Sequence, residues 1–244
     1  MKVFLINLDK DKDRLSAVSA QLNQLGVAYA REPAVCAKDE IASGRLRVHA
    51  VVNLFRWWCS VGVPPRAAEI GCALSHFNLY RRLVAGEMGG VCCILEDDVV
   101  LSSAFPRAVA EVERWIGTER PRVVMLSDHT RQYDGRGCVE SKAEIRRSQF
   151  ACCTDAYILN ARAAAALLKA NFPLQRPCDH WAKWVKRGAI ELYHYTPCVA
   201  RQDQEAFGTS TQAGLTPISE WPLPKWAWFK FKRVIGKSLD ALMG

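Results

Sequence analysis

The opening of the chain constrains its fold most. Residues 3–8, Val3-Phe4-Leu5-Ile6-Asn7-Leu8, form an apolar run of strand length. Residues 10–25 then place Leu15, Val18, Leu22 and Leu25 at helical spacing, and Gly26 suits the left-handed position just past a helix end. Residues 27–35 read as a second strand and its turn. A strand, a helix and a strand in this order predict an α/β sheet with a mainly parallel core. The alternation continues with a helix over 67–85, strands near 91–95 and 122–126, a helix over 104–116, a strand over 155–159, an Ala-rich helix over 161–170 and a late strand over 189–195. Residues 36–65, with Trp57-Trp58 and the breaker Pro64-Pro65, interrupt the pattern and read as an insertion or flap. The chain has 244 residues, 50% of them hydrophobic, enough for one sizeable core and too many for a disordered protein.

The apolar run Val91-Cys92-Cys93-Ile94-Leu95 ends in Glu96-Asp97-Asp98. Adjacent carboxylates stay charged together only beside water, cations or basic groups. At the end of a core strand a hard divalent cation is a natural companion, since Mg²⁺ or Mn²⁺ takes one or two carboxylates plus substrate phosphates. If the strand continues through this triplet, Glu96 and Asp98 point one way and Asp97 the other. The plain alternative is a solvated acidic turn. Asn7 and Asp9 end the first strand, where open α/β sheets bind ligands, so they and Arg14 are candidates for ligand binding there. For Arg14 the competing expectation is a helix-surface pair with Asp11 or Asp13.

Ten cysteines are spread through the chain without a C-x-x-C spacing, and pairs such as Cys92-Cys93 sit in apolar runs. They read as reduced, buried small hydrophobes. The N-terminal apolar run is too short for a secretion signal, and no stretch reaches the length of a transmembrane helix, so a cytoplasmic location is expected. The net charge is +8, and a tail, residues 216–244, carries five basic residues against two acidic ones. There Trp221, Trp226, Trp228, Phe229 and Phe231 interleave with Lys225, Lys230, Lys232, Arg233 and Lys237. Such a segment either contacts the cytoplasmic face of the inner membrane peripherally or docks on the body by its aromatic face. Elsewhere basic and acidic residues interleave without a binding motif, which argues against nucleic acid as a partner.

Three motifs taken together resemble glycosyltransferase family 25, which includes bacterial lipooligosaccharide galactosyltransferases. They are Val3-Phe4-Leu5-Ile6-Asn7-Leu8-Asp9 with Arg14, Glu69-Ile70-Gly71-Cys72-Ala73-Leu74-Ser75-His76, and Ile94-Leu95-Glu96-Asp97-Asp98-Val99. Ala156-Tyr157-Ile158-Leu159 and Pro177-Cys178-Asp179 resemble the family's downstream half. The resemblance implies a single GT-A-type, Rossmann-like domain over residues 1–215, a UDP-sugar donor, a glycolipid or oligosaccharide acceptor and inversion at the anomeric carbon. It also implies Mn²⁺ or Mg²⁺ held by Asp98 and Glu96, with Asp97 or Glu96 near the ribose.

A sugar transferase must neutralise a departing diphosphate and deprotonate an acceptor hydroxyl, and the two tasks need different groups. Asp179 leads as the base, against the alternative of a helix N-cap; Asp155 and Asp128 compete with it. Ser75 and His76 are assigned to donor binding, and His194 to the metal, against the alternative of packing in the core. Trp181 and Trp184, three apart on one helical face, belong either to the core or to an acceptor site. A metal-dependent phosphoesterase or nucleotidyltransferase, and a non-catalytic membrane-associated binding protein, are the alternatives from other classes.

Overall fold

The computed structural model describes residues 1–127 and 143–203. Asp128 and the basic aromatic stretch 221–237 lie outside the described residues. Strand β1 (Lys2–Asn7) pairs in parallel with β2 (Tyr29–Pro33) and with β3 (Val91–Glu96). Helix α1 (Lys12–Gln24) joins β1 to β2 and buries Arg14, Val18 and Leu22, one per turn. Full burial of a side chain such as Val18 or Leu22 contributes about 1.5–3 kcal/mol. The helix stops as expected, because Gly26 takes φ +66°, a conformation most side chains resist.

The sheet runs β2-β1-β3-β7-β5-β8-β6, with β5 (Arg122–Met125), β6 (Glu144–Ser148), β7 (Ala156–Asn160) and β8 (Glu191–Thr196). β7 and β6 run against the other strands, which share one direction. The reversed β7 sits in the middle of the sheet. Its amino end, preceded by Thr154 and Asp155, therefore reaches the edge where β1, β3 and β5 end, and the Glu96 amide bonds the Asp155 carbonyl at 2.8 Å.

Strand alternation divides the core between the two faces. Val3, Leu5, Cys93, Leu95, Val124 and Ile158 pack with α1 and α6 (Phe105–Ile116). Phe4, Ile6, Cys92, Ile94, Met125 and Tyr157 face α5 (Ala67–Val84), α7 (Ala161–Asn171) and α8 (Trp181–Lys186). Cys92 and Cys93 thus fill opposite faces, and nine described cysteines are free thiols.

Residues 36–65 are not a detached flap. They form α2 (Ala37–Ala42), α3 (Val48–Val51) and α4 (Leu54–Val61), and Trp57 is wholly buried with its indole N–H on the Val63 carbonyl. Backbone bonds between residues 51–53 and Leu174 tie the segment to the body. The apolar side chains that made it unreadable as a regular element are what dock it.

Helix α5 lies close against the connector after β2. A methyl group on Gly71 would sit 2.4 Å from the Val35 carbonyl oxygen, and Ser75 Oγ accepts the Val35 amide at 2.8 Å while donating to the Gly71 carbonyl. Beyond β3, the short strand β4 (Val99–Leu101) pairs antiparallel with β9 (Ala200–Gln202), which brings the end of the described chain back over the acidic turn. No helix among the described residues is long and apolar enough to cross a membrane.

Candidate active site

β3 ends at Glu96, and Asp97-Asp98 form a turn before β4, so strand alternation stops two residues before the end of the acidic triplet. The three carboxylates diverge into three separate sets of partners. Asp97 turns to β1 and α1: Asn7 Nδ2 donates to Oδ2 at 2.7 Å and Arg14 Nη1 to Oδ1 at 3.3 Å. Arg14 thus pairs with the acidic turn. Burial pushes the Asp97 carboxyl up, opposed by Asn7 and Arg14. Arg31 of β2 braces the same corner, donating to the Asn7 side chain at 3.1 Å, to its carbonyl at 3.2 Å and to the exposed Asp9.

Glu96 turns to the other face. Its Oε1 accepts from Thr154 and from His76 Nε2, the latter at 3.1 Å, with Cys72 Sγ at 3.9 Å. The opposite ring nitrogen of His76 meets the Tyr157 hydroxyl at 2.7 Å. Burial pulls the His76 pKa down, but bonds to Cys72 and Glu96 and their charges outweigh it and push it to about 9. A protonated ring accounts for both contacts, as a donor to Glu96 and to Tyr157.

Asp98 is different. It is 6% exposed; Gln202 Nε2 donates to Oδ2 at 2.8 Å, and Oδ1 is buried with no hydrogen-bond partner. Burial, then the charge of Glu96, push its carboxyl up to about 7 despite the Gln202 bond. A buried carboxylate oxygen without a donor is costly unless a cation meets it. With Glu96 beside it, this donor set fits a hard divalent cation.

The candidate bases separate by burial. Asp155 is fully buried, immediately before β7, and accepts from Ser127 at 2.9 Å. Asp179 is half-buried, and none of the described hydrogen bonds involves its carboxylate. The N-cap position of α8 belongs to His180, so the capping alternative for Asp179 does not hold. Glu69, one turn before Cys72 on α5, accepts the Arg66 amide at 2.7 Å; burial raises its pKa, and the charge of Asp179 adds to the rise.

Other expectations are redirected. Ser75 spends both its hydrogen bonds on the Val35 and Gly71 backbone, so it anchors the scaffold. His194 lies inside β8, and its Nε2 contacts the Phe150 carbonyl at 3.1 Å; since a carbonyl only accepts, that nitrogen carries a proton and is no metal ligand. Trp181 and Trp184 are fully buried core residues, and Trp181 donates to the Cys153 carbonyl at 2.7 Å, so they do not line an acceptor site. Glu69 and Cys72 stand in the second motif without a role of their own in the sequence, and Thr154 and Gln202 stand in none. Glu69, Cys72 and His76 recur at three- and four-residue steps on one helix, a signal that was present. Thr154 and Gln202 carry no such mark.

The sequence profile of Glycosyltransferase family 25 (LPS biosynthesis protein) matches residues 1–182. A protein of Aedes aegypti described as a Glycosyltransferase 25 family member is 30% identical over 111 residues, covering 45% of this chain and 18% of that protein. One of Drosophila melanogaster with the same description is 26% identical over 188 residues, covering 74% of this chain and 30% of that protein. The matched stretch is thus less than a third of either relative's length.

Proposed function

The chain belongs to glycosyltransferase family 25, and on that premise we propose that it transfers a sugar, galactose from UDP-galactose, to a lipooligosaccharide or related glycan acceptor. The reaction is an inverting displacement on a GT-A-type scaffold. The observation that carries this reading is Asp98, a buried carboxylate with one unpartnered oxygen beside Glu96 at the carboxyl edge of the sheet. Mn²⁺ or Mg²⁺ held there by Asp98 and Glu96 would neutralise the departing diphosphate. Asp97, held by Asn7 and Arg14, keeps the turn in register, and the corner made by Asn7, Asp9 and Arg31 receives the nucleotide.

Inversion requires a base on the face opposite the leaving group. Asp179 suits that task, because its carboxylate is half-exposed and its lone pairs are not engaged by the described hydrogen bonds. Asp155 serves by position, holding Ser127 and, through its carbonyl, the end of β3. The basic aromatic stretch 221–237 would keep the enzyme beside a lipid-linked acceptor at the cytoplasmic face of the membrane.

The test is nucleotide release from a panel of nucleotide sugars, with glycan acceptors present, in Mn²⁺ and in EDTA. The expected result is metal-dependent UDP release from one donor, lost in Asp98→Asn and, with acceptor present, in Asp179→Asn. Release of phosphate or pyrophosphate, or no release from any donor, overturns the reading.

A further inference from the structure

Helix α5 turns two metal-capable side chains, Cys72 and His76, toward the end of β3. The ligand atoms of Cys72, His76 and Glu96 all lie within 4.8 Å of one another. His76 Nε2 is 3.1 Å and Cys72 Sγ 3.9 Å from the same oxygen of Glu96. From the other side Cys178, in the loop before α8, brings its sulfur to 3.5 Å from that of Cys72.

These separations can be compared with a known geometry. A four-coordinate zinc, with Zn–S about 2.3 Å and Zn–N and Zn–O about 2.0–2.1 Å, spaces its ligand atoms at ~3.8 Å for S to S, ~3.6 Å for S to O and ~3.3 Å for N to O. Each observed separation is within a few tenths of an ångström of its counterpart. The donors are also of the right kind, since thiolate and imidazole favour zinc, whereas Mn²⁺ and Mg²⁺ favour oxygen. The ring of His76 is already aimed. Tyr157 OH holds Nδ1 at 2.7 Å and is itself 2.7 Å from Tyr80 OH, an outer contact of the sort that fixes the tautomer of a ligating histidine.

We propose that Cys72, His76 and Glu96 bind a zinc ion, and that Cys178, whose sulfur touches that of Cys72 but lies outside the three-residue cluster, swings in as the fourth ligand. Binding sends the thiol protons of Cys72 and Cys178 and the Nε2 proton of His76 to solvent, and the metal replaces the protons that otherwise bridge the cluster. Zinc binding stands apart from the transfer reaction. One consequence does rest on that reading: because Glu96 serves both sites, zinc inhibits the Mn²⁺-dependent reaction.

The test uses the full chain, reduced, stripped with EDTA and desalted, and titrated with Co²⁺ as a spectroscopic substitute. The expected result is a thiolate-to-cobalt band in the near ultraviolet, with intense visible bands of tetrahedral coordination, saturating at one Co²⁺ per chain and displaced by Zn²⁺. Cys72→Ser removes the near-ultraviolet band. Cys178→Ser lowers it by roughly half, as loss of one of two thiolates requires, and Cys59→Ser leaves it unchanged. No thiolate band in the wild-type chain, a readout that needs no variant, overturns the proposal, as does a band that survives Cys72→Ser in a chain whose circular dichroism is native. An unchanged band in Cys178→Ser removes that ligand. UDP release from a zinc-free chain that gives no cobalt band defeats this proposal alone, whereas a cobalt band without UDP release defeats the transferase reading alone.

Discussion

The acidic turn lies between two walls of opposite character. On the β1–α1 side, Asn7 and Arg14 meet both oxygens of Asp97, and Arg31 braces Asn7 from β2. On the α5–α8 side and beneath β9, Asp98 keeps a buried oxygen without a donor, the Asp179 carboxylate is outside the described hydrogen bonds, and two thiols touch without a disulfide. Satisfied polar groups hold a scaffold; unsatisfied ones retain their capacity to bind something else. The comparison therefore assigns stability and the nucleotide corner to the first wall, and the bond-making chemistry to the second.

Neutralising each aspartate in turn gives the largest contrast. Asp98→Asn should lower nucleotide release by about 10²–10³-fold or more, the scale of losing a main electrostatic contribution. The metal-free chain should melt no lower at pH 8, because a buried charge with like-charged neighbours has been removed. Asp97→Asn should do the reverse in stability, costing about 3 kcal/mol in denaturant unfolding by removing the charge that Arg14 meets at Asp97. Equal destabilisation by the two variants would erase the distinction between the walls.

Gly71→Ala tests whether the scaffold side of α5 is as tight as its geometry states. The added methyl would meet the Val35 carbonyl at 2.4 Å, a contact with backbone that no rotamer relieves. A loss of about 1–3 kcal/mol is expected, typical of overpacking. Unchanged unfolding would mean that the connector yields and the two walls are less rigidly joined.

The chemical wall should also show in the pH dependence of the metal-free chain. The folded-state carboxyl of Asp98 stands at about 7 against an ordinary 3.8, so the native chain binds the extra proton between those values and stability falls as pH rises through that window. His76, at about 9 against 6.5, contributes stability that is complete below 6.5 and is lost as pH rises through 9. Melting temperature should thus fall from pH 5 to pH 9, and Mn²⁺ should raise it more at pH 8 than at pH 5. A Mn²⁺ effect that is equal or larger at pH 5 would take Asp98 out of the cation site.

Much of the scaffold was legible because its signals are local. The strand, helix and glycine at residues 3–26 and the alternation of Cys92 with Cys93 follow from periodicity and appear where expected. The reversed β7 was not legible, since an apolar strand does not state its direction. Nor was the separation of the three carboxylates. That depends on Gln202, distant in sequence and brought to Asp98 only by the β4–β9 pairing. The two tryptophans failed as site residues for the same reason: residue type marks what a side chain can do, while burial and partners decide what it does.

Ser75 carries the smallest effect and the sharpest division within one helix. It lies beside His76 in the same motif, yet it bonds the Val35 amide and the Gly71 carbonyl rather than Glu96. Ser75→Ala removes one acceptor from a buried amide and should cost about 1–2 kcal/mol, the range for leaving such a donor unsatisfied. The KM for the nucleotide sugar should stay within about twofold of wild type, well under the 1.4 kcal/mol that a tenfold change represents. His76→Ala should differ in kind, losing turnover as well as stability, since it removes a donor from Glu96 and leaves the Tyr157 hydroxyl without its ring partner. A KM that rises tenfold in Ser75→Ala would place its hydroxyl on the donor after all, and the line between scaffold and chemistry would then run through α5 in a different place.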